Sequence, residues 1–214
     1  ATLCTLSGQL REIVAEDPID RPFITSTAET IEETSLRIAR IVAALRAFSG
    51  SDPQAPFECV SLDAIVRNTF ALCSEKFRSF GVRLDSQAIP STILLSCRPQ
   101  QISEALFNLL NNAFDAAAGS AEKWIRLGIQ ERDGKVEIRI TDSGAGIPAA
   151  ARDKIFQPFY TTKAIGKGTG LGLSAASGIF ETHGGSCRLD SSVGNTCFVI
   201  ELPTAEQVSR KLAS

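Results

Sequence analysis

Two alternating stretches joined by a turn dipeptide constrain this chain more than any other feature. Trp124–Gln130 and Val136–Thr141 each alternate apolar and polar residues, which is the pattern of a strand with one buried face. Asp133-Gly134 lies between them and strongly favours a tight hairpin turn. The chain therefore has to form an antiparallel pair of strands, and other apolar elements have to cover one face of that pair.

Helical patterns with one apolar face alternate with further strand patterns in the same part of the chain. Helices are predicted over residues 61–77, 99–118 and 172–183. The additional strand patterns are Phe57–Val60, Val82–Asp85, Ile93–Ser96, Cys187–Asp190 and Thr196–Leu202. Helices and strands mixed in this order predict an α/β sandwich, in which helices cover one face of a mixed sheet.

The first fifty residues carry a heptad pattern instead. Leucine or isoleucine recurs every seven residues in two segments, at Leu3 and Leu10 and at Ile31, Ile38 and Leu45. This spacing predicts a helical hairpin, with a turn at residues 16–22 and a capping box of Ser26 and Glu29 opening the second helix. Two helices alone cannot bury such seams, which favours a homodimer through residues 1–49. The alternative is a hairpin packed against the rest of its own chain.

A change of composition separates the hairpin from the α/β part. Residues 51–56 read Ser-Asp-Pro-Gln-Ala-Pro, which is typical of a linker. We therefore predict a hairpin at residues 1–50, a linker at 51–56 and a second domain at 57–214.

Bulk composition excludes several classes of protein. With 43% hydrophobic and 21% charged residues, the chain is expected to form a packed core. Its net charge of −2 gives no indication of a nucleic-acid or membrane surface, and no apolar run is long enough to span a bilayer. The six cysteines form no C-x-x-C pair, which favours reduced thiols in a cytoplasmic protein over disulfides or zinc.

The predicted helix at 99–118 carries a polar stripe beside its apolar face. Asn108, Asn112 and Asp115 lie roughly 100° away from the apolar residues, which are Ile102, Leu106, Leu109, Ala113 and Ala116. Amide oxygens suit Mg²⁺ when phosphates supply the remaining ligands. The alternative is a polar stripe that only faces solvent. Because asparagine is a poor helix former, two asparagines at these positions favour a functional role over that alternative.

Asp142 ends the second alternating strand on the same face as its apolar residues. A carboxylate buried there needs a donor, and the exocyclic amine of adenine is a suitable one. Gly144 and Gly146 permit a tight turn close to a planar ring. Thr196 shares the inward parity of its own strand, so its hydroxyl is expected to face the same pocket. The alternative is an ordinary Asp-Ser-Gly turn.

Residues 166–174 alternate glycine with other residues and then open a helix. Backbone amides at a helix start bind phosphate oxygens, although the spacing fits neither a P-loop nor a Rossmann fingerprint. The preceding stretch, residues 148–167, is long for a compact loop and suggests a lid. Lys163 and Lys167 are candidates to meet phosphate charge, with solvated surface as the alternative.

The order of these segments resembles that of two-component sensor histidine kinases. NLLNNAFDA (Asn108–Ala116) resembles their N box and DSGAGI (Asp142–Ile147) their G1 box. FQPFYTTK (Phe156–Lys163) is similar to the F box, and GTGLGLS (Gly168–Ser174) to the G2 box. The resemblance covers about residues 57–203. It implies the Bergerat fold of the GHKL superfamily, which includes gyrase, mismatch-repair ATPases and a heat-shock chaperone.

The resemblance also implies a site for ATP and Mg²⁺. In it Asn108 and Asn112 hold the metal, Asp142 binds the adenine amine, and Gly168–Gly172 shape the phosphate end. The further residues expected at the ATP site are Asp115, Gly144, Gly146, Ile147, Phe159, Thr161, Thr162, Lys163, Lys167, Gly168, Thr169, Gly170, Leu171, Gly172 and Thr196.

The front hairpin resembles a dimerisation and phosphotransfer hairpin, with residues 38–49 similar to its second helix. The sequence contains one histidine, His183, which precedes Gly184 and is interpreted as a helix-end residue. We therefore expect the phosphoacceptor histidine upstream of Ala1 and no certain catalytic residue among these 214. The resemblance implies a response regulator receiver domain as the partner. It also implies a cytoplasmic location for this part of the protein, and it is compatible with a parent protein that is anchored in a membrane.

Three functional hypotheses follow. In the first, the chain transfers the γ-phosphate of ATP to a histidine, for relay to an aspartate of the response regulator. In the second, it is an ATP-gated dimerisation or interaction module that phosphorylates no histidine. The third, a degenerate scaffold, is disfavoured by the intact Asn112, Asp142 and glycines.

Overall fold

The computed structural model describes residues 22–31, 34, 55–163, 168–192 and 194–212. These residues fall into two compact units. One includes the described part of the first 48 residues together with Thr161–Thr169. The other takes in the described residues of Ser49–Tyr160 and Gly170–Ser214.

The first unit contains a helix, α1, at residues 22–31, and residue 34 is helical as well. Pro22 suits a first turn, where its missing N–H costs nothing. The predicted capping box at Ser26 is wrong, because the chain is already helical four residues earlier. The carbonyl of Ser26 accepts a hydrogen bond of 2.8 Å from the Thr30 hydroxyl. The remainder of the predicted hairpin lies outside the described residues.

The second unit is built on strands of two sheets. In chain order they are β1 (Glu58–Ser61), β2 (Arg83–Ser86), β3 (Leu94–Cys97), β4 (Trp124–Arg132), β5 (Lys135–Asp142), β6 (Ser186–Leu189) and β7 (Cys197–Pro203). The five-stranded sheet has the order β2-β4-β5-β7-β6, with β2 parallel to β4 and the other pairs antiparallel. β1 and β3 form a separate antiparallel pair, in which Glu58 lies opposite Cys97.

Helices cover one face of the five-stranded sheet. The helices of this unit are α2 (Leu62–Ser79), α3 (Pro99–Ala117), α4 (Ala149–Arg152), α5 (Gly172–Thr182) and α6 (Ala205–Leu212), of which α6 contacts β3 of the separate pair. α3 is central, because it contacts α2, α5, β4 and β5. Its buried Leu106 and Leu109 face the inward Ile138 and Ile140 of β5 in one apolar core. None of the described helices is both long and apolar enough to cross a membrane.

The predicted α/β sandwich with a mixed sheet is confirmed, and the predicted strands and long helices agree with the structure to within about two residues. The short α4 and the C-terminal α6 were not predicted. α6 nevertheless had a signal, since Thr204 and Gln207 have the spacing of a capping box. The Gln207 N–H donates to the Thr204 hydroxyl oxygen at 3.4 Å, and that hydroxyl donates to the Gly134 carbonyl at the hairpin turn.

Charged side chains cover part of the opposite face of the sheet. Val199 is on that face, yet it is 0% exposed. Arg139 and Arg188 flank it from the two neighbouring strands, and both pair with the Glu137 carboxylate, at 3.2 and 3.7 Å. Arg139 also pairs with Asp190. The aliphatic stems of the two arginines thus bury Val199 while their charged heads stay paired.

The junction between α5 and β6 provides a test of the packing. A methyl group on Gly185 would lie 2.2 Å from the Glu201 carbonyl oxygen and 2.8 Å from the Leu202 side chain. Gly185→Ala should therefore destabilise the protein by about 1–3 kcal/mol in urea unfolding. Gly178→Ala is the control, because the space around Gly178 in α5 is open and alanine is the better helix former by about 1 kcal/mol. Equal stability of the two variants would contradict the packing described here.

Candidate functional site

Asp142, the last residue of β5, is the buried centre of the site. Its side chain is on the inward face and is 1% exposed, so the predicted burial is confirmed. Its Oδ1 accepts a hydrogen bond of 2.8 Å from the Gly144 N–H, and the Thr196 side chain also hydrogen-bonds to it. Burial raises the pKa of Asp142 to about 6, against the opposing effect of these hydrogen bonds. The carboxyl is therefore held in place but poorly solvated.

The loop after Asp142 is packed closely against its neighbours. A methyl group on Gly144 would lie 2.8 Å from the Ala116 side chain and 2.8 Å from Asp142 Oδ1. The Gly144 carbonyl accepts a hydrogen bond of 3.2 Å from Asn195. Gly146 has φ +81°, and a methyl group there would lie 3.0 Å from the Gly194 carbonyl oxygen. Glycine is thus required for the conformation at one position and for the close approach at the other.

α3 connects this loop to the start of α5. Ala116, Asn112 and Asn108 are spaced at i, i−4 and i−8, so they form one stripe about 12 Å long. Ala116 meets Gly144 at one end. At the other end, a methyl group on Gly172 would lie 3.9 Å from the Asn108 amide. This stripe, which has Ala116 in place of the predicted Asp115, therefore joins the Asp142 loop to the first residue of α5.

Asn111, next to Asn112, points to the other side of α3. Its Oδ1 accepts a hydrogen bond of 3.1 Å from the Lys76 ammonium group of α2. Its Nδ2 donates to the Phe107 carbonyl at 3.1 Å. Two adjacent asparagines thus have different surroundings, and only Asn112 is on the stripe.

Phe159 and Gly170 are in contact, although residues 160–169 separate them in the sequence. Both have positive φ, +67° and +69°. A methyl group on Gly170 would lie 2.4 Å from the Phe159 carbonyl carbon, so this contact requires glycine. The Phe159 side chain is 71% exposed, whereas Phe156 packs edge-on against Phe198, with 6.2 Å between ring centroids. Phe156, rather than Phe159, thus anchors this stretch on the core.

The segment Thr161–Thr169 belongs to the other compact unit. Within it, the Lys163 N–H donates to the Thr161 hydroxyl oxygen at 3.2 Å. A methyl group on Gly168 would lie 2.8 Å from that same oxygen. Thr162 is exposed and Thr169 half-buried. Lys167 lies outside the described residues.

The predicted residues fall into groups. Asp142, Gly144, Gly146 and Thr196 surround the buried carboxyl, and Asn108 lies beside Gly172. Asp115 is exposed, Ile147 is partly buried against the core, and Leu171 is the N-cap of α5. Ala116 was predicted to lie on the buried apolar face. It is exposed instead, because at this end of α3 its side chain lies beside the Gly144 loop rather than in the core.

Two further polar residues near these groups were missed in the sequence. Asn195 donates to the Gly144 carbonyl, and its position just before Thr196 was the available signal. Glu104 is one turn before Asn108 on α3 and therefore lies near it. Its Oε1 is buried without a hydrogen-bond partner, and burial raises the pKa of this carboxyl. Nothing in the sequence beyond the four-residue spacing indicated Glu104.

The stripe on α3 offers amide oxygens to a metal ion. Among the described residues, no group of three His, Cys, Asp or Glu side chains is placed to hold a metal ion. The two stripe asparagines offer neutral oxygens, which suit Mg²⁺ only where phosphates bring the negative charge. The donor set therefore fits a metal that arrives with a phosphorylated ligand.

Residues 97–206, just over half of the chain, match the family model of the histidine kinase-, DNA gyrase B-, and HSP90-like ATPases. The two-component sensor PprA of Pseudomonas aeruginosa is 31% identical over 200 residues, which cover 87% of this chain and 21% of PprA. The chain thus spans about a fifth of the length of that relative.

Solved structures agree with this match. The catalytic domain of the histidine kinase ThkA is 29% identical, with a TM-score of 0.63 over 70% of this chain and 96% of that domain. ThkA in complex with the response regulator TrrA is 23% identical, with a TM-score of 0.65 over 94% of this chain and 57% of that one. This last likeness concerns the fold alone.

The raised pKa of Asp142 predicts that this residue lowers stability at neutral pH. An acid whose pKa is higher in the folded than in the unfolded protein costs stability as it ionises. Asp142→Asn should therefore match the parent below about pH 4 and exceed it by about 3 kcal/mol above about pH 6, at 1.36 kcal/mol per pKa unit. Urea unfolding at pH 4 and pH 8 measures the difference.

Asp190→Asn is the matched control for this measurement. Hydrogen bonds from Ser192 and Arg139 lower the pKa of Asp190, so its removal should reduce stability at pH 8, in the opposite direction. Equal pH dependence of Asp142→Asn and the parent would show that Asp142 is not desolvated.

Proposed function

This chain belongs to the histidine kinase-, DNA gyrase B-, and HSP90-like ATPase family, and we propose that it is the ATP-binding catalytic part of a sensor histidine kinase. The observation that carries the proposal is the buried Asp142 carboxyl, held by Gly144 and Thr196 beside a helix with a stripe of amides. The similarity to PprA and to the ThkA catalytic domain supports the kinase class.

Asp142 is the proposed adenine ligand. A carboxylate that is desolvated gains most from a ligand that brings its own donor, and the exocyclic amine of adenine is such a donor. Gly144 and Gly146 keep the adjacent loop free of side chains that would occupy the space beside a planar ring. Thr196 holds the carboxyl in the orientation that receives the amine.

The stripe on α3 and the start of α5 are the proposed phosphate end. The free N–H groups of the first turn of α5 and its dipole favour phosphate oxygens. Asn108, which lies beside Gly172, and Asn112 are the proposed ligands of Mg²⁺. When bound, the metal neutralises phosphate charge and orients the terminal phosphoryl group. The other proposed ATP-binding residues are Thr161, Thr162, Lys163, Lys167, Gly168 and Thr169.

The proposed phosphoryl acceptor is a histidine outside these 214 residues. His183, the one histidine in the sequence, is 5% exposed. Its Nε2 accepts a hydrogen bond from the Arg98 N–H, and its Nδ1 donates to the Ile179 carbonyl. Neither nitrogen is therefore available as a nucleophile. We also propose a dimerisation and phosphotransfer hairpin at residues 1–50, which dimerises through residues 1–49 and precedes the domain at 57–214.

The proposed reaction moves the γ-phosphate of ATP to that histidine, and a response regulator aspartate then receives it. ThkA, whose catalytic domain is 29% identical to this chain, forms a complex with the response regulator TrrA, which supports this class of partner. The chain's own contribution is to position the nucleotide and stabilise charge, which are the main terms in phosphoryl transfer.

The function is tested with γ-labelled ATP on the protein extended to contain the acceptor histidine. We expect label that is stable in alkali and lost in acid, as for phosphohistidine. Asp142→Ala should abolish it together with nucleotide binding, whereas Asp153→Ala, at an exposed position, should change neither. Tight ATP binding without such label would replace the kinase by the ATP-gated module, and absence of ATP binding would refute both.

The metal ligands are tested by comparing two adjacent asparagines. Asn112→Ala should reduce the Mg²⁺-dependent gain in ATP affinity by about tenfold, which corresponds to 1.4 kcal/mol. Asn111→Ala removes the same amide from a residue that bonds to Lys76 and Phe107, and it should leave the Mg²⁺ dependence intact. Calorimetric titrations with and without Mg²⁺ measure both variants, and equal Mg²⁺ dependence in the two would contradict the assignment of Asn112.

A further inference from the structure

α3 begins with an unfavourable residue. Arg98 is its N-cap and makes no side-chain capping hydrogen bond. Helix N-caps are normally Ser, Thr, Asp, Asn or Gly, and a cation opposes the positive end of the helix dipole. Where a local preference is broken in this way, the residue often has another task.

The side chain of Arg98 holds the segment that leads into β1. Its Nε donates a hydrogen bond of 2.6 Å to the Ala55 carbonyl. Its guanidinium lies over the ring of Phe57, 4.8 Å from the centroid, at a distance where cation–π attraction is effective. Arg98 thus contacts two of the three residues of this lead-in segment, residues 55–57.

His183 completes the same cluster from the end of α5. Its Nε2 accepts a hydrogen bond of 3.1 Å from the Arg98 N–H, so the imidazole supplies an acceptor at the start of α3. Its ring lies 5.0 Å from that of Phe57. The Nδ1 proton is donated to the Ile179 carbonyl at 2.7 Å, which fixes the neutral tautomer. The lead-in segment is therefore held against the ends of two helices.

The pairing of β1 continues this attachment. Glu58 lies opposite Cys97, the residue before Arg98. Residues 55–58 are thus attached to Cys97 and Arg98 in three ways. Glu58 pairs with Cys97 in the sheet, and Arg98 bonds to Ala55 and lies over the ring of Phe57. The attachment includes Ala55, three residues ahead of the first residue of the strand.

We propose that Arg98 is a positioning residue, which anchors residues 55–57 on the ATP-binding unit and thereby constrains the chain that leads into β1. This inference rests on the proposed function, because phosphoryl transfer requires the nucleotide and the acceptor to meet in one geometry. Each released residue would add up to about 3.6 Å of reach, and a longer reach lowers the effective concentration of a linked acceptor.

Arg98→Asp separates this role from a merely structural one. The variant removes the guanidinium and introduces a preferred N-cap, so thermal stability should be equal or higher. Hydrogen exchange of the amides in residues 55–61 should become several-fold faster, and ATP affinity should not change. In the protein extended to contain the acceptor histidine, kcat of autophosphorylation should fall several-fold while KM for ATP stays constant.

Two further variants sharpen the test. Phe57→Leu, which keeps an apolar side chain but removes the ring face, should accelerate exchange in the same segment. Arg126→Asp makes the same change of charge at an exposed position over Trp124, and it should alter neither exchange in residues 55–61 nor kcat.

Distinct outcomes overturn distinct claims. Unchanged exchange in Arg98→Asp would refute the anchor, and faster exchange with unchanged kcat would refute the positioning role. A fall in ATP affinity would show that Arg98 acts on the nucleotide site instead. If the parent itself forms no phosphohistidine, the proposed function fails and the positioning role with it, whereas exchange alone still decides on the anchor.

Discussion

The desolvated carboxyl of Asp142 is the constraint on which the site depends. It has to be at the end of an inward-facing strand, with a helix-covered core on one side and a glycine loop on the other. Burial raises its pKa to about 6, so the ionised group costs folding free energy until a ligand donates to it. The apolar packing of α3 against β5 supplies the stability that allows this cost. In the free protein the ionised Asp142 carboxylate therefore lowers stability. A bound ligand that donates a hydrogen bond to it offsets this loss of folding free energy.

α3 serves both the core and the site because its faces are used separately. Leu106 and Leu109 face the sheet, Asn111 faces α2, and Asn108 lies beside the start of α5. A helix buried on nearly all sides normally loses its polar residues. α3 nevertheless carries several amides, because Asn111 bonds to Lys76 of α2 and Asn108 lies beside Gly172 of α5 at the proposed phosphate end. The positions of the two ends of the site therefore depend on one rigid element.

Much of this could be predicted from the sequence, because alternation and helical period report burial directly. The parity of β5 placed Asp142 inside, and the Asp133-Gly134 turn set the hairpin register. The failures have local causes. Ser26 has the chemistry of an N-cap, but the preceding Pro22 already accommodates a first turn. A contact between residues distant in sequence, such as that of Asn195 with Gly144, produces no periodic pattern and could not be predicted. The role of Arg98 at the N-cap of α3 produces no such pattern either.

The conformations at Phe159 and Gly170 fix the two ends of the segment between them. The chain leaves the ATP-binding unit after Tyr160 and returns at Gly170, and Phe159 and Gly170 are in contact. A non-glycine residue at positive φ costs on the order of 1–3 kcal/mol, so the packed Phe156 and Ile155 have to hold Phe159 there. With both ends fixed together, the length of the segment between them affects closure entropy only weakly. The segment can therefore vary without moving the strand that carries Asp142.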